Sequence, residues 1–231
     1  MPPRESGDLD AEYEDSILSA LGSIKKRQIL DLGCGTGDLS LRLISRGAIV
    51  TGLDLSPGMV AVARERAGKF FPESKARFLA APAEATGLDA ESFDWVVGKW
   101  VLHHTDLDLA AAEIHRTLKP DGRAVFVETS AMNPLLTFAR RRLVGRWGIR
   151  RFGTPDEHPI RQADIEVLQR HFKHCGIDFP DFVFFYLLDR HVLKRRWWTV
   201  TRLSTGLDKL IERRLPRLRR ASYYMRIRLE K

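Results

Sequence analysis

Eight residues, Asp31-Leu32-Gly33-Cys34-Gly35-Thr36-Gly37-Asp38, carry the densest chemical signal in the chain. Three glycines at alternate positions let a backbone turn sharply and approach a ligand closely, because no Cβ stands in the way. The apolar run Gln28-Ile29-Leu30-Asp31-Leu32 before them reads as a strand, and helical spacing resumes at Leu39, Leu41, Leu43 and Ile44. A dinucleotide fingerprint would need its third glycine where Asp38 stands. An acid at a helix start repels a pyrophosphate, which counts against a nicotinamide or flavin nucleotide. Asp54 closes a second apolar run, Ala48–Leu53, where a carboxylate can accept both hydroxyls of a ribose.

A second group of residues suits proton transfer. His103 and His104 follow the apolar run Phe93–Val97, and an imidazole titrates near working pH; either could be a general base or could only position its loop. Glu128 ends a further strand and Asn133 follows it, where both could meet a substrate. In Thr154-Pro155-Asp156-Glu157-His158-Pro159, two prolines hold ionisable groups, so Glu157 and His158 form either a lid carrying a base or a rigid turn before the next helix. No close-spaced set of ligand residues points to a metal.

These residues must be positioned by elements that alternate. Helical spacing marks 8–24, 38–46, 57–69 and 106–118; strands are expected at 28–32, 48–53, 77–80, 93–97 and 123–129. Such alternation implies parallel βαβ units in an α/β, doubly wound sheet. Ser56-Pro57 and Asp106 read as helix starts. Further on, helices are expected at 135–147, 162–175 and 191–214, with strands at 181–188 and 223–229. Cys175 then falls at a helix end as a buried thiol.

Three blocks, Ile29–Gly37, Gly52-Leu-Asp-Leu-Ser-Pro-Gly-Met59 and Glu113-Ile-His-Arg-Thr-Leu-Lys-Pro-Asp-Gly122, together with Phe93–Val97 and Val101-Leu-His-His104, resemble the class I S-adenosylmethionine-dependent methyltransferases, in particular the small-molecule enzymes. The resemblance covers about residues 20–130. It implies a Rossmann-like sheet of seven mostly parallel strands, the last antiparallel, with helical insertions after strand 5 and between strands 6 and 7. It also implies one domain over 1–231, with a cofactor-binding core at 8–130 and insertions at 131–176 and 189–220. S-adenosylmethionine is the implied cofactor. By matching positions, Asp31 would orient its amino group while Gly33, Cys34, Gly35 and Gly37 run beneath it. Asp54 would hold the ribose, Leu55 and Met59 would pack on adenine, Ala83 and Glu84 would line the adenine edge, and Lys99 would lie nearby. Pro82 stands where the family usually has Asp or Asn, so that Glu84 substitutes or the bond is missing.

Composition narrows the partners. The chain of 231 residues has a formal charge of +8 and two cysteines, too few for a disulfide framework and suited to a reducing, cytoplasmic compartment. Residues 190–231 hold 14 basic and 3 acidic side chains, whereas residues 1–138 hold 15 and 20. Within 191–220, Trp197 and Trp198 accompany many arginines, which suits a peripheral contact with an anionic membrane, or else an apolar stripe packed on the sheet with its arginines in water. The expected activity is methylation of an O or N atom of a small or amphiphilic acceptor. RNA methylation is a second reading, but no Asn/Asp-Pro-Pro-aromatic run follows the fourth strand. A non-catalytic S-adenosylmethionine-binding protein acting through its basic tail is a third.

Overall fold

In the computed structural model, strand order is what creates a binding edge. The structure describes residues 9–142, 158–189 and 196–231. Strands β1 (Gln28–Leu32), β2 (Ile49–Asp54), β3 (Arg77–Ala80), β4 (Phe93–Lys99), β5 (Leu118–Thr129), β6 (His174–Asp178) and β7 (Tyr224–Glu230) form one sheet in the order β3-β2-β1-β4-β5-β7-β6. The pairs β1–β2, β1–β4, β2–β3 and β4–β5 are all parallel. The Ser130 N–H donates to the Tyr223 carbonyl and the Lys231 N–H donates to the Gly122 carbonyl, so β7 runs antiparallel to β5. The chain winds outward one way through β1, β2 and β3, then returns to start β4 beside β1. In open α/β sheets the crevice outside the strands' carboxyl ends at this reversal is where ligands bind.

Helices α1 (Leu9–Leu21), α2 (Asp38–Ser45), α3 (Pro57–Phe70), α4 (Leu107–Thr117), α5 (Pro134–Arg142), α6 (Gln162–His171), α7 (Phe185–Leu188) and α8 (Trp198–Arg214) complete the chain. Tyr13, Ile17, Leu18 and Leu21 bury one stripe of α1, and Leu39, Leu41, Leu43 and Ile44 bury α2. Ile29, Leu30 and Leu32 on β1, Val96 and Val97 on β4, and Val125, Phe126 and Val127 on β5 are almost wholly buried; continuous apolar runs of this kind suit parallel strands covered on both faces. Ser56 caps α3 by accepting the Met59 N–H, and Asp106 caps α4 by accepting the Asp108 and Leu109 N–H groups, as expected.

The chain falls into two units. The first comprises Met1–Glu128, Ala163–Gly176 and Arg226–Lys231; the second comprises Thr129–Gln162 and Ile177–Met225. Among the described residues no helix is long and apolar enough to cross a membrane.

Three expectations change. The sixth strand is His174–Asp178, not 181–188, and the helix expected over 162–175 ends at His171. Residues 185–188 form α7 instead, because the Asp208 carboxylate accepts the N–H groups of Phe184, Phe185 and Tyr186 at 3.2, 2.9 and 2.9 Å and so starts a helical turn. Cys175 therefore sits half-buried in a strand rather than at a helix end, where partial burial pushes its thiol pKa up. The ends of the helices expected over 135–147 and 191–214, at residues 143–147 and 191–195, lie outside the described residues.

Candidate cofactor and proton-transfer site

At the carboxyl ends of β1 and β2, the glycine loop is shaped by what surrounds it. Gly33, Gly35 and Gly37 have φ of 70°, 52° and 84°, the left-handed region that a Cβ disfavours. A Cβ on Gly33 would also stand 2.9 Å from the Val101 side chain, so the loop after β1 lies directly against the loop after β4. A Cβ on Gly35 would meet nothing within 4 Å, which leaves open space over the loop. The Gly35 N–H donates to Asp54 Oδ2 at 2.9 Å and the Ser56 N–H donates to Asp54 Oδ1 at 2.9 Å. Asp54 is thus fixed at the end of β2 with lone pairs remaining on each oxygen. Leu55 and Met59, next to it, are exposed apolar side chains, 75% and 46% accessible.

Asp31 is the buried member of the set. Its carboxylate accepts the Ser40 hydroxyl at 2.5 Å, and burial pushes its pKa up to about 7, with Ser40 opposing and the nearby Glu14 charge reinforcing the shift. Glu14 on α1 is 1% exposed and holds two cations, Arg42 at 3.0 Å and Lys99 at 3.2 Å. Lys99 is therefore engaged in an ion pair, with its ammonium 5.3 Å from the Trp100 ring centroid; Trp100 in turn meets Tyr13 edge-on at 5.1 Å. The Trp100 Nε1–H is buried with no hydrogen-bond partner among the described residues. Sequence reasoning missed Glu14 and Ser40, since a lone acid or serine on a helix carries no motif.

The residues toward adenine are partly committed. Ala83 is buried, and Glu84 accepts the Asp106 N–H at 2.9 Å, tying the loop after β3 to the start of α4. Glu113 holds this loop further on, accepting the Thr86 N–H at 2.9 Å and hydroxyl at 2.5 Å. Its Arg116 partner, with Thr86, lowers its pKa to about 2. Cys34 is buried, and burial drives its thiol far above the usual range, so it is no nucleophile. Asp38 pairs with Arg66 at 2.8 Å.

At the end of β5, Glu128 is wholly buried, and its carboxylate is taken up by neighbouring groups of the chain. One oxygen accepts the N–H groups of Val101 and Leu102 at 2.9 and 2.8 Å; the other lies 2.6 Å from His103 Nδ1. With Nδ1 directed at a carboxylate, Nε2 is the nitrogen left to exchange a proton. His104 is exposed, its ring 4.2 Å from that of His103. The Asn133 side chain accepts the Leu135 and Leu136 N–H groups as the start of α5 and donates to the Ala221 carbonyl at 2.7 Å. His158 belongs to the second unit and is half-buried; Glu157 lies outside the described residues.

Residues 30–126 match a family described as "Methyltransferase domain". A ubiquinone/menaquinone biosynthesis C-methyltransferase UbiE of Methylobacterium nodulans is 36% identical over 131 residues, covering 54% of this chain and 52% of that protein. The UbiE of Agrobacterium fabrum is 36% identical over 138 residues, 57% and 53% of the two chains. The chain thus spans about half the length of the curated relatives it matches. Among solved structures, a geranyl diphosphate C-methyltransferase of Streptomyces coelicolor aligns with a TM-score of 0.66 at 14% identity, covering 96% of this chain and 80% of that one. A Haemonchus contortus phosphoethanolamine N-methyltransferase aligns with a TM-score of 0.64 at 20% identity, covering 95% and 52%. At these identities the likeness is one of fold.

Proposed function

We propose that residues 30–126, which match a family described as a methyltransferase domain, form a class I methyltransferase core, and that the protein binds S-adenosylmethionine at the carboxyl edge of β1, β2 and β4 and methylates a small, amphiphilic acceptor. The observation that carries the reading is the pairing of two loops: Gly33 leaves no room for a Cβ against Val101, two residues before His103. A ligand cradle and a carboxylate-held imidazole therefore share one edge of the sheet.

The residues fit the cofactor. Asp54 offers two fixed acceptor oxygens, Leu55 and Met59 offer apolar faces, and the space above Gly35 admits a ligand against backbone. Asp31 and the Trp100 indole N–H are the polar groups at the ends of β1 and β4. When bound, S-adenosylmethionine supplies an electrophilic methyl group on its sulfonium. His103 takes the acceptor's proton at Nε2, while Glu128 fixes the tautomer and stabilises the imidazolium that forms. His104 and His158 then have no part in proton transfer.

A base of this kind serves a hydroxyl or an amine. The similarity to the named C-methyltransferases supports a second target, a ring carbon made nucleophilic by loss of a neighbouring hydroxyl proton. The basic second unit is read as an elaboration of the same domain that brings it peripherally to the cytoplasmic face of a membrane. Incubation with labelled S-adenosylmethionine and separate lipid, metabolite and RNA extracts tests the proposal. Label is expected in a small lipid-soluble or amphiphilic product; label in RNA alone, or in nothing despite cofactor binding, would overturn it.

A further inference from the structure

Helix α8 leaves part of its apolar stripe in water. Its buried residues are polar, Ser204 and Asp208, and Asp208 fastens the helix by accepting three N–H groups at the start of α7. Val200, Leu207 and Ile211 are half-buried beside them, but part of the apolar stripe faces outward: Leu203 is 63% and Leu210 52% exposed, and Trp198, at the first turn, is 71% exposed. An amphipathic helix ordinarily turns its apolar stripe inward. Here Trp198, Arg202, Leu203, Gly206, Leu207 and Leu210 line a shallow open groove along the outer face. The apolar surface continues past the helix through Leu215 and Leu218, and precedes it at Trp197.

The charges around this surface have one sign. Among the described residues, no carboxylate lies within ion-pair reach of Arg202, Lys209, Arg213 or Arg214; of the two acids on α8, Asp208 is buried and Glu212 pairs with Arg219. The Arg202 guanidinium stands 5.4 Å from the Trp198 ring centroid, and that of Arg196 stands 5.6 Å from Trp197. Each pair sets a ring and a cation side by side, as an interface of acyl chains and phosphates requires.

We infer that α8 and the turn after it, residues 196–220, form a docking surface for an anionic lipid bilayer, with Trp197, Trp198, Leu203 and Leu210 entering the headgroup–acyl boundary and the arginines meeting lipid phosphates. The inference deepens the peripheral membrane contact of the proposed function, and its chemistry rests on the second unit alone. Charge complementarity selects the occupant. Two copies of a face bearing only cations repel each other, which disfavours self-association. Nucleic acid would use the cations and tryptophans but has no use for a row of exposed aliphatic side chains, whereas acyl chains do. Such a surface binds an interface reversibly, through apolar area and through electrostatic attraction that salt weakens.

Co-sedimentation of the full chain with vesicles of phosphatidylcholine alone, or mixed with phosphatidylglycerol, tests the inference. Binding is expected only to the mixed vesicles at low salt, with a blue shift of tryptophan emission and release at high salt. A Trp197→Ala/Trp198→Ala double variant and an Arg202→Glu/Lys209→Glu double variant should each weaken binding about tenfold or more. All four side chains are exposed, so melting temperature and calorimetric binding of S-adenosylhomocysteine should stay unchanged. Equal, negligible binding to both vesicle types overturns the inference, as does undiminished binding by either variant. So do displacement from vesicles by RNA, or a dimer that quenches the emission shift. In each of those cases retained S-adenosylhomocysteine binding leaves the cofactor assignment standing; its loss with vesicle binding intact removes the cofactor assignment alone.

Discussion

Glu128 and His103 stand 2.6 Å apart at the ends of β5 and in the loop after β4, the carboxylate wholly buried and the imidazole nearly so. The other Glu128 oxygen accepts the Val101 and Leu102 N–H groups, so one side chain fixes both the loop and the ring. A base positioned in this way predicts that His103→Ala lowers kcat by ~10²–10⁴ while cofactor affinity stays near that of the parent. Glu128→Gln should lower kcat as well, because a single amide oxygen cannot accept from both His103 Nδ1–H and the Val101 and Leu102 N–H groups, and its NH2 must face one of them. Steady-state kinetics with a saturating acceptor check this; full activity in His103→Ala across pH would leave catalysis to proximity.

Asp54 should dominate cofactor affinity. Hydrogen bonds to a charged acceptor contribute about 1.5–3 kcal/mol each, so Asp54→Ala should weaken S-adenosylhomocysteine binding by about 10²-fold or more. Calorimetry returning an unchanged Kd would remove the ribose assignment.

Asp31 predicts a proton-linked binding step. Its pKa, raised to about 7, leaves it largely protonated below neutrality. A ligand ammonium favours the ionised form, so binding below pH 7 should release a proton and affinity should rise as pH approaches 7. The sign for stability is opposite: an acid with a raised folded pKa destabilises the fold progressively as pH climbs from about 4 to about 7. Calorimetry in buffers of different ionisation heat measures the released proton, and Asp31→Asn should abolish that buffer dependence.

Gly33 and Gly35 should respond differently to the same substitution. Gly33→Ala combines a positive φ with a Cβ 2.9 Å from Val101, and should cost about 2–3 kcal/mol of stability. Adding Val101→Ala should recover part of that loss. Gly35→Ala has open space around its Cβ and should cost about 1–2 kcal/mol from backbone conformation alone, yet weaken cofactor binding by filling the cradle. Urea unfolding beside calorimetry separates the two effects, and equal behaviour of both variants would argue against a ligand over Gly35.

Glu113 predicts an acid-sensitive loop. Its pKa, held down to about 2 by Arg116 and then by Thr86, contributes stability that is complete above about pH 4.5 and lost as pH falls toward 2. Glu113→Ala should cost about 1–3 kcal/mol at neutral pH, with the difference from the parent shrinking below pH 4 in urea titrations.

Much of this was legible in the order of residues. Gly33, Gly35 and Gly37 between an apolar run and a helical repeat determined the turn, because only glycine tolerates that backbone next to a ligand. Asp54, Ser56 and Asp106 announced their positions by type and spacing, since strand ends and helix caps are local events. Residues 174–188 were misread because short apolar runs fit a strand and a helix equally well. What decided them was Asp208, more than twenty residues away, offering its carboxylate to three amides of α7. Glu128, at the end of a strand, read as a group facing the crevice; tertiary structure buried it and turned it to His103, since only the pairing of β4 with β5 brings the two together. The outward face of α8 was likewise settled in three dimensions. Hydrophobic periodicity reveals that a helix has an apolar stripe, but which side is buried depends on the groups that fasten the helix, and here Asp208 does so by accepting three N–H groups at the start of α7.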